Sequence, residues 1–202
     1  MMVKTARKDV KFDKRAAKYD DEFEGKISQK VYQLVMESVE LNSGDKILDM
    51  GCGTGTILYR LNNLYNIEGY GIDIEEKMIE QAKIKCPQMN IQHGDCSKTP
   101  FEGEMFDSLI ACMTFHHFYD QKAFAGEASR ILKTGSKLYL ADPCFPALIR
   151  KLINIIIKRT NLIGRFCTEQ EIIQIFKPYG LEIKEKKKDG FFQVLILEKV
   201  YK

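Results

Sequence analysis

The chain lacks any long apolar run. Nowhere in its 202 residues is there a stretch of about 18 consecutive apolar residues, so no spanning helix is expected. The N-terminus is basic and carries no apolar core of the secretory kind, so no signal peptide is expected either. Strong charge of one sign is missing too. A net charge of +3 is too small to imply a nucleic-acid partner by itself, and none is expected. The charge is uneven, however: residues 1–18 hold seven Lys/Arg against two Asp, and residues 20–24 then hold four acids. Paired cysteines are absent. The six cysteines stand at 52, 86, 96, 112, 144 and 167, with no C-x-x-C pair and no histidine cluster near them. That pattern argues against a zinc site and against a disulfide framework, so no metal is expected. Free thiols and a cytoplasmic location are the expectation. Internal repeats, low-complexity tracts and linkers are also absent, and the length suits one domain over 1–202.

Against these absences stands a regular alternation of two periods. Phe12, Ala16, Tyr19 and Phe23 recur at helical spacing, and a clearer helix covers 26–41 with Ile27, Val31, Leu34, Val35, Ser38 and Val39 on one face. Asn42-Ser43-Gly44 stops it. Strands are predicted at 45–50, 67–73, 90–93, 106–113 and 137–141, with helices at 54–65, 75–85 and 120–132 between them. Strand–helix–strand order with short links indicates an open parallel sheet with helices on both faces. The run Phe106–Met113 is nearly all apolar, which suits a strand buried on both faces. After residue 143 the rhythm changes. Residues 145–166 form an apolar and basic helical insert. Thr168-Glu169-Gln170-Glu171 is a capping box that opens another helix. Two strands, 181–187 and 191–199, then meet around Asp189-Gly190, a hairpin signal.

The first strand breaks at Gly51-Cys52-Gly53-Thr54-Gly55, three glycines on alternate residues, and a helix starts just beyond. Glycine lets the backbone turn sharply and approach a ligand, and the first N–H groups of a helix suit an anion. In open α/β sheets ligands sit at the carboxyl ends of the strands. The polar residues at those ends are Asp49, Asp73, Asp95, the pair His116-His117 and Asp142. Asp73 lies 18 residues past Gly55, where a carboxylate commonly accepts ribose hydroxyls.

This arrangement resembles the class I S-adenosylmethionine-dependent methyltransferases. The carriers are Leu48–Gly55, Gly71-Ile72-Asp73-Ile74-Glu75-Glu76-Lys77-Met78, Gly94-Asp95, Phe106–Ile110, Phe115–Phe118 and Ile131–Gly135. The resemblance covers about residues 40–143 well. The segment Phe12–Asp20 is similar, over a shorter stretch, to the start of the quinone-biosynthesis C-methyltransferases. What the resemblance implies is a Rossmann-like, doubly wound α/β fold: a seven-stranded, mostly parallel sheet with a C-terminal antiparallel hairpin. The implied parts are an N-terminal helical cap (1–41), a cofactor-binding core (42–143), an insert or lid (144–167) and a C-terminal helix with hairpin (168–202). The implied cofactor is S-adenosyl-L-methionine, leaving S-adenosyl-L-homocysteine as product. The N–H groups around Gly51, Cys52, Gly53 and Gly55 would hold the methionyl carboxylate, and Asp49 would balance the methionyl ammonium. Asp73 would take the ribose hydroxyls. Ile74 would pack on the adenine, with Met78 in the same motif. Asp95 would accept the adenine amino group, the Cys96 N–H would meet a ring nitrogen, and Tyr19 would close the methionine end.

The partner implied is a small methyl acceptor, apolar and lipid- or quinone-like. An oxygen or nitrogen acceptor needs a base, and His116, His117 and Asp142 are the candidates. The insert has two readings. It carries five Lys/Arg and no acid, and Leu148, Ile149, Leu152, Ile153 and Ile156 share one helical face. Either it is a lid packed on the domain, or it is an interfacial helix that contacts a membrane or walls an apolar substrate. Three functional alternatives stay open. One is an NAD(P)-dependent oxidoreductase, which the Gly-x-Gly-x-Gly spacing and Asp95 oppose. A second is a cofactor-binding module without turnover. The third is an RNA methyltransferase, for which a salt-dependent footprint of the basic N-terminus would be the sign.

Overall fold

A computed structural model of the chain describes residues 16–21, 23–159 and 164–201. Most of the N-terminal segment predicted around Phe12 lies outside them; Ala16–Asp21 is a 3-10 helix. Seven strands form one sheet: β1 (Lys46–Met50), β2 (Glu68–Asp73), β3 (Asn90–His93), β4 (Phe106–Cys112), β5 (Leu132–Pro143), β6 (Leu181–Asp189) and β7 (Phe192–Lys199). Their order is β3-β2-β1-β4-β5-β7-β6. The first five run parallel, and β7 is antiparallel to both β5 and β6. The expected seven-stranded sheet with its closing hairpin is therefore present.

Six α-helices accompany the sheet among the described residues: α1 (Phe23–Met36), α2 (Thr56–Tyr65), α3 (Glu76–Lys85), α4 (Gln121–Ile131), α5 (Ala147–Arg159) and α6 (Glu169–Phe176). Strand side chains alternate between the two faces. Leu48, Met50, Leu109, Ala111, Leu138 and Leu140 pack with Phe124 and Ala128 of α4 and Ile172 and Phe176 of α6. Ile47, Ile110, Tyr139 and Ala141 pack with Val31 and Val35 of α1, Ile57 and Leu61 of α2 and Ala82 of α3. Helices thus cover both faces, and β4 is apolar throughout its centre because neither of its faces meets water.

Two boundaries differ from the sequence expectation, and the orientation of α5 differs from the lid reading, one of the two given for the insert. Helix α1 ends at Met36 instead of 41. The Ser38 hydroxyl donates to Leu34 O at 2.6 Å, competing with the backbone ladder, while Val39 stays buried below it. Strand β5 starts at Leu132, directly after α4, and runs through Gly135 at φ +80°. A register shift between Phe106 and Ser108 on β4 absorbs that irregularity. The third difference concerns α5. Its apolar face was expected to turn inward if the helix were a lid. None of its residues is buried, and Leu148, Leu152 and Ile156 are 77%, 62% and 57% exposed. The polar side faces the body instead: Arg150 reaches Glu171 at 3.2 Å, and the Asn154 side chain is bonded to the backbone of Phe166.

Candidate active site

The chain crosses from β1 through β2 to β3 on one side and then returns to β4 and β5 on the other, so the crevice at the carboxyl ends of β1 and β4 is a topological switch point. The glycine turn opens there, and its three glycines differ in what they do. Gly51 has φ +84°, and a Cβ on it would stand 2.2 Å from Thr114 Oγ1. That glycine locks the turn against the loop after β4. Gly55, at φ +77°, precedes α2 and packs against Ala82 of α3 and Cys86, which caps that helix. Gly53, at φ +51°, has nothing within 4 Å of where a Cβ would sit. Its side of the turn is open.

The N–H groups of the turn are largely engaged already. Gly51 and Cys52 donate to Ile72 O at 2.8 and 3.1 Å, Gly55 donates to Cys52 O at 2.9 Å, and Gly53 donates to Asp73 Oδ2 at 2.8 Å. In this structure these four donors hold β2 and the turn itself, and the open side of Gly53 leaves room beside them. Asp73 is the hub. Its Oδ1 accepts from Glu75 N at 2.9 Å, so one carboxylate ties the glycine turn to the start of α3. Burial raises its pKa, with the backbone donors of Glu75, Gly53 and Ile74 pulling it back. A carboxylate offers about four lone-pair sites, so these backbone donors leave acceptor capacity for a further donor.

Asp49 has no such support. It is 2% exposed and its Oδ1 has no hydrogen-bond partner among the described residues. Burial, and secondarily the charge of Asp73, push its pKa up to about 8. A buried carboxyl without a partner is costly unless a ligand supplies one. An ammonium group fits that position, and the open flank of Gly53 fits the chain that would carry it. The donor set therefore suits the amino-acid end of S-adenosylmethionine.

At the ends of β2 and β3 the remaining predicted residues come together. Ile74 is half-buried, and its carbonyl accepts from His93 Nε2 at 2.9 Å. Met78 is buried at the first turn of α3. Asp95 Oδ1 accepts from both Ser97 N and Ser97 Oγ at 2.7 Å, so Asp95 shapes its own turn whatever else it binds. Cys52 and Cys96 are buried, and desolvation holds both thiols well above their usual range, which makes them inert. Tyr19 is half-buried in the 3-10 helix that lies against α1 and α3.

The other rim of the crevice carries the histidines. Register pairs Cys112 with Ala141, which sets Asp142 beside the loop after β4. Buried Asp142 accepts from His116 N at 2.9 Å and contacts His116 Nδ1 at 2.8 Å. His116 is thus oriented by a carboxylate, while His117 is exposed. Three predicted catalytic residues resolve into one Asp–His pair and one surface histidine.

Several contributors were not read from the sequence. The Phe166 ring stacks on His116 with centroids 4.6 Å apart and planes at 18°. Arg165 N donates to His116 O at 2.8 Å, and Gly164, at φ +100°, passes so close that a Cβ would meet that same carbonyl at 1.7 Å. Buried Gln121 donates to Phe115 O and Arg165 O at 3.1 and 3.3 Å. Residues 164–166 are therefore strapped over the histidine turn. An isolated glycine inside a helical pattern was the one local signal of this close approach. Among the described residues, no group of three or more His, Cys, Asp or Glu could hold a metal ion.

Comparison with known proteins points the same way as the geometry. Residues 48–140 match the family model described as a methyltransferase domain. An uncharacterized methyltransferase of Anoxybacillus flavithermus is 33% identical over 129 residues, covering 63% of this chain and 58% of that protein. A demethylmenaquinone methyltransferase of Staphylococcus saprophyticus is 33% identical over 117 residues, covering 55% of this chain and 50% of that protein. The chain thus spans little more than half the length of these relatives. A chain in the complex between the Haloferax volcanii Trm112 methyltransferase activator and a methyltransferase shares the fold, with TM-score 0.81, 18% identity and coverage of 94% of this chain and 98% of that one. The glycine turn and the acids at three successive strand ends thus lie within a segment, 48–140, that matches a methyltransferase domain, in a seven-stranded sheet of the fold seen in that neighbour.

Proposed function

We propose that the protein transfers a methyl group from S-adenosylmethionine to a small apolar acceptor of lipid- or quinone-like character. The observation that carries the donor half is Asp49, a buried carboxyl with an unpartnered oxygen, four residues before the open Gly53. When bound, the cofactor supplies an electrophilic methyl on a sulfonium, and S-adenosylhomocysteine remains. Asp49 balances the methionyl ammonium, and Gly53 leaves space for the methionyl chain. Asp73 accepts the ribose hydroxyls on the lone pairs its backbone donors leave over. Ile74 and Met78 wall the adenine, Asp95 and the Cys96 N–H read its edge, and Tyr19 closes the methionine end. Gly51, Cys52 and Gly55 act by shaping the turn.

On the acceptor side, Asp142 holds His116 through Nδ1 and leaves Nε2 to take a proton from the acceptor. A positioned base of this kind contributes about 10²–10⁴-fold. Holding nucleophile and methyl in line contributes more, up to roughly 7–11 kcal/mol. His117, exposed, stands outside this pair. The relative named for demethylmenaquinone supports an acceptor with an ionisable ring, for which such a base is suited. In this reading 42–143 seats the cofactor, 144–167 forms the acceptor wall, and 1–41 and 168–202 complete the cap and the sheet. Six free cysteines, four of them buried, suit the cytoplasm, and no helix of the described residues is long and apolar enough to cross a membrane.

Calorimetric titration with S-adenosylhomocysteine and with NAD(H) tests the donor assignment. Binding of the first and no heat from the second is expected, with affinity falling at least tenfold in Asp73→Ala, about the worth of one hydrogen bond to a charged group. Tight NAD(H) binding without S-adenosylhomocysteine heat overturns it. Mass spectrometry with a labelled methyl donor and quinol or phenol acceptors then tests turnover; no transfer to any acceptor class would leave a cofactor-binding module.

A further inference from the structure

We propose that α5 docks the protein on the surface of an anionic lipid bilayer. A surface helix ordinarily turns its apolar stripe to the core. Helix α5 does the reverse. Leu148, Ile149, Leu152, Ile155 and Ile156, at spacings that share one helical face, are 77%, 43%, 62%, 47% and 57% exposed. The opposite side, with Arg150 and Asn154, faces the body and is tied there by the Arg150–Glu171 contact and by two Asn154–Phe166 hydrogen bonds of 2.9 Å. The outward turn is therefore built in by polar anchors.

Charge identifies the partner. The exposed face is flanked by Lys151, Lys158 and Arg159, and the whole segment 145–166 has no acid. A second copy seated on the same face would set this acid-free, cationic patch against itself, so its cations would meet no carboxylate of the segment. A layer of anionic headgroups over hydrocarbon meets both halves of the pattern: the apolar side chains enter and the lysines reach back to the headgroups. At thirteen residues the helix is about 20 Å long, suited to lying in the interface and too short to span. Phe191, 54% exposed at the tip of the β6–β7 hairpin, extends the same surface: its ring lies 6.2 Å from that of Phe145, just before α5. Through Asn154 and Phe166 this surface adjoins His116, so an acceptor dissolved in the bilayer would reach the crevice without crossing open water. That last step rests on the proposed function; the docking itself does not.

The test is vesicle flotation of the full chain, with phosphatidylcholine alone and with phosphatidylcholine containing phosphatidylglycerol. Binding to the anionic vesicles, weakened by salt, is expected. Leu152→Ser with Ile156→Ser should lower partitioning about tenfold or more, the loss of two buried aliphatic side chains, while Lys151→Glu with Lys158→Glu should abolish the preference for anionic vesicles. Thermal melts and S-adenosylhomocysteine titration of the same variants report folding and the cofactor site separately. Equal partitioning of wild type and the Leu152/Ile156 variant overturns the proposal, as does a failure of folded wild type to bind anionic vesicles. So does a concentration-dependent dimer in sedimentation that the serine substitutions dissolve. Loss of S-adenosylhomocysteine binding with flotation intact would count against the proposed function alone.

Discussion

In Asp49→Asn the buried carboxyl loses its charge and keeps its shape. In the free protein its pKa stands at about 8, raised by burial first and by Asp73 second, against about 3.8 for an ordinary Asp. Between those values the folded state holds a proton that the unfolded chain has released. Stability of the free protein should therefore fall as pH rises from about 4 to 8, by at most ~1.4 kcal/mol per unit for this group. The asparagine variant lacks that loss. Its melting temperature should match wild type near pH 4–5 and exceed it near pH 8. Cofactor binding should run the opposite way. An ammonium ligand needs Asp49 ionised, and with the pKa raised to about 8 the ionised fraction rises by about tenfold or more between pH 6 and 7.5. Calorimetry with S-adenosylhomocysteine across that range should show the affinity gain in wild type, with proton release on binding, and neither in Asp49→Asn. An affinity that is flat with pH in wild type, or an equal slope in the variant, would refute the pairing of Asp49 with the ammonium.

Two further substitutions separate scaffold from chemistry. Gly53→Ala meets only open space and the strain of a positive φ, about 1–2 kcal/mol, so it should fold and lose cofactor affinity, whereas Gly51→Ala collides with Thr114 and should fall from the soluble, folded fraction; circular dichroism and titration distinguish them. His116→Ala should cut kcat about 10²–10⁴-fold with S-adenosylhomocysteine affinity unchanged, while His117→Ala stays near wild type; equal losses in both would remove the Asp142-oriented base.

The strands were legible because their signals are local. The short apolar runs of β1 and β4, the Asp-Gly hairpin and the Thr168–Glu171 capping box each lie within a few residues, and all appear in the fold. The convergence of Asp49, Asp73 and Asp95 was legible for a related reason: each stands at or just past the carboxyl end of a strand, and strand ends converge in a parallel sheet. What the turn's N–H groups do was not, since Gly51 and Cys52 donate across to Ile72 and only the pairing of β1 with β2 reveals it. The Asp142–His116 pair spans 26 residues and depends on the register of β4 with β5. The orientation of α5 had no local signal at all. Periodicity shows that an apolar face exists; which way it turns is decided by Asn154 and Arg150 gripping segments distant in the chain.

The seam between β1 and β4 divides the site by origin. From Asp49 to Cys96, everything proposed to hold the donor apart from Tyr19 comes from one continuous piece of chain on the β3-β2-β1 side. His116, Asp142 and Phe166 come from the other side, and the family match ends at residue 140, just short of Asp142. The two pieces interlock where Gly51 meets Thr114, one residue before the histidine turn begins. A graft of 115–167 from a relative would therefore exchange the acceptor pocket while leaving that donor piece and its lock untouched. On the proposed function, substrate choice would travel with that graft.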